Sequence, residues 1–185
     1  TTSITASTLV RGLAANNSEP TIFSYDRTGD GNEFLLIHQS NEWRLFIDGT
    51  TGSFDSSAIT EADVLDGDWH HVAVTWDSAT GDANFYLDAE LLDTINLEMG
   101  NSLGANGTLV LAQEQDGIDT GYNGSQRLIG DLDEFAIFSS VLTQRQIRDQ
   151  FIAATTVPEP TSIAIWSLLG LCLAGFGYRR MRSKK

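Results

Sequence analysis

The sequence predicts an all-β sandwich, on three observations. Short apolar runs recur through residues 22–138. Clusters of Gly, Asp, Asn and Thr punctuate them, as turns do between strands. No helical period of useful length appears before residue 141. The balance of 17 glycines against 3 prolines in 185 residues also suits strands joined by tight turns.

Ile22–Tyr25, Phe34–His38, Trp43–Ile47, Val72–Trp76, Phe85–Leu87, Leu109–Ala112 and Leu128–Phe138 read as strands. The turns between them fall at Thr28–Asn32, Asp48–Gly52, Asp66–Asp68 and Thr80–Asp82. Arg44–Asp48 and Asn84–Asp88 alternate imperfectly, as half-buried strands do. One short helix is expected after residue 141. Thr143 and Gln146 stand at capping-box spacing, and Leu142, Ile147 and Phe151 form its apolar face.

Charge divides the chain. All 25 acidic residues precede residue 161, against six Arg there, a net charge of −19. Nucleic acid is not an expected partner, because phosphate contacts need clustered Lys and Arg. The acidity suits cations and also keeps an exported domain in solution. The single Cys172 excludes a disulfide and a thiolate metal site from residues 1–160, a length that can bury a core without them. The chain begins at Thr1 with no Met, so a natural start is expected upstream, where a secretory leader would lie beyond what this sequence shows.

Residues 161–178 carry no charged side chain, and Arg179, Arg180, Arg182, Lys184 and Lys185 follow. This predicts a transmembrane helix with residues 1–160 outside and 179–185 in the cytoplasm. With Val157, Pro158, Glu159 and Pro160 before it and Arg179-Arg180 after it, the tail resembles the PEP-CTERM sorting signal of exopolysaccharide-producing Gram-negative bacteria. The resemblance implies export, processing by an exosortase, and residence at the cell envelope or release outside the cell. The expected organisation is a domain over 1–154, a linker over 155–160, then the helix and the basic end.

Three segments bear on the domain's family. Asp68–Asp77 (DWHHVAVTWD), Gly81–Asp88, and Gly130–Phe135 followed by Leu142–Ile147 together resemble the LamG-like domains of the concanavalin A-like lectin/glucanase group. That implies an antiparallel jelly-roll β-sandwich. Residues 1–19 resemble the first family strand only loosely, with Leu9 about where a Trp is usual, so an incomplete N-terminal edge is expected. A fourth segment, Leu111–Asp116 with Gly124–Gln126 and Leu128–Asp131, is similar to the calcium loop of pentraxins. The resemblance implies calcium held by Glu114, the backbone carbonyl of Gln115, and Asp116, with Gln126 on a second ion. The upstream Asp-Asn pair of that family is matched by Asp30 and Asn32, here separated by Gly31 rather than adjacent. Asn123 stands where pentraxins carry a carboxylate. Calcium takes six to eight oxygens, which one loop seldom supplies alone.

Catalysis is not expected. Asp131-Leu132-Asp133-Glu134 superficially resembles the glucanase strand, but alternation would put Asp131 and Asp133 on one face and Glu134 on the other. A second catalytic Glu would fall at Ala136. His70 and His71, adjacent on a strand, cannot share one ion without a bulge; one is expected in the core and one outside. Trp69 and Trp76 are both expected in the core. Tyr122 is the candidate ligand-stacking residue, beside the calcium loop. The expected function is a non-catalytic binding module for carbohydrate or an envelope glycoprotein. A structural matrix protein without glycan affinity and a glycoside hydrolase are the alternatives.

Overall fold

The computed structural model describes residues 1–14, 19–27 and 31–155. Two five-stranded antiparallel sheets face each other. The first runs β10 (Gly130–Phe138), β1 (Ser3–Gly12), β6 (His70–Asp77), β7 (Asp82–Leu87), β8 (Glu90–Asn96). The second runs β5 (Thr50–Ser53), β4 (Glu42–Ile47), β3 (Phe34–Gln39), β2 (Thr21–Asp26), β9 (Thr108–Leu111). A one-turn helix α1 (Glu61–Val64) and the longer α2 (Gln144–Thr155) complete the described residues. The all-β sandwich expected from the sequence is what forms.

Aromatic side chains from both sheets meet between them. Phe23 of β2 lies 5.9 Å from Phe135 of β10, and Trp43 of β4 lies 6.0 Å from Phe85 of β7. Trp76 is fully buried and satisfies its indole N–H by donating to the Leu97 carbonyl at 2.8 Å. Trp69 departs from expectation. It is 39% exposed, with the Arg11 guanidinium 4.9 Å from its ring centroid. It stands just before β6, outside the paired register that holds Trp76 inward.

Three tight hairpins share one solution. Ser40-Asn41, Asp48-Gly49 and Asp88-Ala89 each place two consecutive residues at positive φ between paired strands, the turn that matches strand twist. The polar strands β1, β5 and β8 have no apolar run to announce them. The segment read as an incomplete N-terminal edge is β1, a ten-residue strand paired on both sides, with β6 and β10.

α2 begins where its capping box said it would. Gln146 Oε1 accepts from the Thr143 N–H at 2.9 Å and from its hydroxyl at 2.8 Å, while Thr143 Oγ1 accepts from Gln146 N. Leu142 and Ile147 bury against Ala73, Tyr86 and Ala89, with Phe138 and Phe151 packed alongside. Thr143→Ala is expected to cost about 1 kcal/mol in urea unfolding, the usual loss for an N-cap.

The tail lies outside the described residues, and with it the linker, the transmembrane helix and Val157, Pro158, Glu159, Pro160, Arg179 and Arg180. Among the described residues no helix is long and apolar enough to cross a membrane.

Candidate functional site

The segment between β9 and β10 lies against β2. Its two ends are tied by main-chain bonds, from Ala112 N to the Ile22 carbonyl at 3.0 Å and from Leu128 N to the Ala112 carbonyl at 2.9 Å. Between them the chain folds tightly. Asp116 N donates to the Thr120 carbonyl, and Thr120 N to that of Gly117. At Gly121, with φ +75°, an added Cβ would sit 2.5 Å from Asp116 Cβ, so only glycine closes this turn.

Gln115 fastens the loop to the sheet. Its buried side-chain amide donates to the Ser24 carbonyl at 3.1 Å and the Thr108 carbonyl at 2.7 Å, and accepts from Asp119 N at 2.9 Å. Every polar atom of that side chain is therefore occupied. Only its main chain is left to serve an ion, the role the resemblance implies for it.

Three buried side-chain oxygens, on β2, on the segment after it and on this loop, lack a hydrogen-bond partner. In β2, Phe23 points into the core, so alternation turns Ser24 and Asp26 the other way. Both are nevertheless buried. Asp26 is 0% exposed; its Oδ1 accepts from Arg27 N at 2.6 Å, and its Oδ2 has no partner. Glu114 is 2% exposed, and its Oε2 has no partner either. Asn32, in the left-handed region at φ 59°, carries a third such atom, Oδ1. Burial, then the charges of Asp116, Asp26 and Glu19, push the Glu114 carboxyl up to about 7. The nearby Arg27 guanidinium is directed to Glu33 at 3.2 Å and Asp48 at 3.7 Å.

The remaining sequence-derived candidates are placed as follows. Asp116 is exposed, on the same loop as Glu114. Asp30 lies outside the described residues. Asn123 caps a 3-10 turn over Gly124–Gln126, its Oδ1 accepting from Ser125 N at 3.1 Å and Ser125 Oγ at 3.0 Å. Gln126 ends that turn, half-buried. Tyr122 is 48% exposed and donates its hydroxyl to Asp119, whose carboxylate raises the phenol. Among the described residues no three His, Cys, Asp or Glu side chains gather as a metal cluster. An ion here would need amide and main-chain oxygens beside the carboxylates, which is calcium's ligand set rather than zinc's. The residue missed by sequence reasoning is Asp26; its only signal was a carboxylate closing an apolar run.

The other chemistries fare differently. His71 is buried against Phe151, and His70 is half-buried between Asp88 at 2.8 Å and Asp66 at 3.2 Å. Burial lowers the His70 imidazole, but the two carboxylates outweigh it and the net shift is upward. Asp131 holds Arg11 at 2.7 Å, and Asp133 accepts from Glu134 N at 2.8 Å. A bulge in β10, where Glu134 and Phe135 stand opposite Thr8, and φ 52° at Glu134 interrupt the alternation there, so Glu134 is exposed together with Asp131 and Asp133.

The Pentaxin family model matches residues 8–173. Serum amyloid P-component of Sus scrofa is 31% identical over 156 residues, 84% of this chain and 66% of that protein. The Sushi, von Willebrand factor type A, EGF and pentraxin domain-containing protein 1 of Rattus norvegicus is 33% identical over 144 residues, 77% of this chain but 4% of its own length. This chain thus spans only part of these relatives. A heptameric SAP-like pentraxin from Limulus polyphemus superposes with a TM-score of 0.71 at 21% identity, covering 86% of this chain and 73% of that one, a likeness of fold. The chain belongs to the Pentaxin family, on a concanavalin-like jelly-roll fold.

Proposed function

We propose that this domain is a calcium-assisted binding module for a carbohydrate or an envelope glycoprotein. Its pentraxin relatives, serum amyloid P-component and C-reactive protein among them, are binding proteins and not enzymes. One observation carries the reading: Asp26, Asn32 and Glu114 bury three side-chain oxygens with no hydrogen-bond donor. Each buried polar oxygen left without a donor costs about 1–3 kcal/mol. A hard cation removes that cost and joins the main-chain carbonyl of Gln115 and the carboxylate of Asp116 to the same centre. The chemistry calcium supplies is an electrophilic point for hydroxyl or carboxylate oxygens of a ligand. The same loop carries the exposed Asp116 and Tyr122.

The tail extends the proposal. Val157–Pro160, the apolar stretch and Arg179-Arg180 support export of the domain, sorting by an exosortase and residence at the envelope of a Gram-negative-type bacterium. Thermal melting and calorimetry of residues 1–156 test the binding part. Calcium at 2 mM, against EDTA, is expected to raise Tm by about 2–8 °C, the shift that 1–2 kcal/mol of linkage gives a domain of this size. A glycan array with and without calcium then reads the ligand class. No heat and no shift would remove the ion, and an array without binders would favour a structural role.

A further inference from the structure

We infer that Asp26, at the end of β2, supplies the carboxylate of the cation site that the pentraxin pattern draws from the residue preceding Asn32. This rests on the calcium reading above and names a ligand that the family pattern does not contain. Where that pattern pairs Asp with Asn, this chain has Gly31, which has no side chain to offer. An ion bound by Asn32 and Glu114 alone would lack the negative charge that calcium affinity depends on.

Three observations place Asp26 there. Alternation from the core-facing Phe23 turns Asp26 away from the inter-sheet core, and Ser24 shares that face. Asp26 stands opposite Thr108 in the β2–β9 register, and Gln115 donates to the carbonyls of Thr108 and Ser24. The loop residue next to Glu114 is thereby laid on the strand within two residues of Asp26. Asp26 is 0% exposed, yet one of its oxygens has no donor, and the same is true of Glu114 at 2%. A buried polar group is ordinarily partnered, and an unpartnered carboxylate oxygen on the strand with another on the loop laid against it is a donor set suited to a cation.

The substitution Asp26→Asn preserves the Oδ1 that accepts from Arg27 N while deleting the charge. Calcium calorimetry and melting in EDTA are compared for the unaltered domain, D26N, D30N, and D26N combined with Gly31→Asp. An aspartate is tolerated at 31, because an added Cβ there meets nothing within 4 Å and Asp accepts the positive φ of 50° better than most residues. D26N is expected to weaken calcium binding at least 30-fold while leaving the EDTA melt unchanged or higher, since a repelling buried charge is gone. D30N is expected to stay within about threefold of the unaltered domain. G31D in the D26N background is expected to restore binding, because it returns a carboxylate to the family position. Normal calcium affinity in D26N, or loss in D30N with D26N unaffected, overturns the assignment and leaves the calcium reading standing. A D26N melt lowered by more than a few degrees in EDTA, with G31D failing to rescue, makes Asp26 a structural residue and overturns it too. Absence of calcium binding in the unaltered domain overturns both at once.

Discussion

Trp76→Ala is expected to remove about 3–5 kcal/mol of stability, the loss typical of deleting a large buried aromatic. Trp76 is fully buried on β6, the middle strand of its sheet, flanked by β1 and β7. Its removal opens a void between the sheets and strands the Leu97 carbonyl that accepts its N–H. Domains of this size hold about 5–15 kcal/mol in all, so the variant stands near the edge of folding. Urea titration followed by fluorescence measures it. Trp69→Ala is the control: it loses an exposed ring and one cation–π contact, worth about 0.5–1 kcal/mol.

Glu114→Gln acts in opposite directions with and without calcium. In the ion-free domain its carboxyl titrates at about 7, well above the ordinary value, so the folded state holds a proton that the unfolded chain gives up. For a carboxyl raised in this way, stability is highest below the unfolded pKa and falls as pH climbs from about 4.5 towards 7. Glutamine has no charge to bury. E114Q is therefore expected to flatten the decline between pH 5 and 8 and to be about 1–2 kcal/mol more stable than its parent at pH 8 in EDTA, a figure discounted for solvent relaxation. With calcium the order reverses, because the parent gains the ion and the variant loses a charged ligand. Paired melts across that pH range, in EDTA and in calcium, read both signs. A pH profile of the parent that stays flat in EDTA would contradict the environment described for Glu114.

What could be read from the sequence follows from what apolar patterning encodes. Trp43–Ile47 and Val72–Trp76 announced β4 and β6 because their burial is written in large apolar side chains. β1 was missed because Ser3, Thr5, Ser7 and Thr8 look like a loop; burial between two neighbouring strands, not side-chain character, makes them a strand. β8 was missed because it is an edge whose polar side chains face solvent. Trp69 was misread as core because it adjoins Trp76's strand and shares its residue type. At the site, Glu114, Gln115 and Asp116 were found through resemblance to a family loop, whereas Asp26 was not. It belongs to a distant strand, and the β2–β9 pairing with the Gln115 hydrogen bonds brings the loop down upon it.

The pairing of β1 with β10 has a kinetic consequence. Thr5 Oγ1 donates to the Ser140 carbonyl 135 positions away, and the two strands between which β1 lies include the last one made. The first sheet therefore cannot close around its opening segment until nearly the whole domain is available. The loop-closure cost is met before most cross-strand contacts can reward it, which places folding on the millisecond-to-second scale of non-local β proteins. During that interval a strand in which Ser and Thr interrupt Ile4 and the Leu9-Val10 pair waits unpaired, and this breaking of the apolar run makes it a poor nucleus for aggregation.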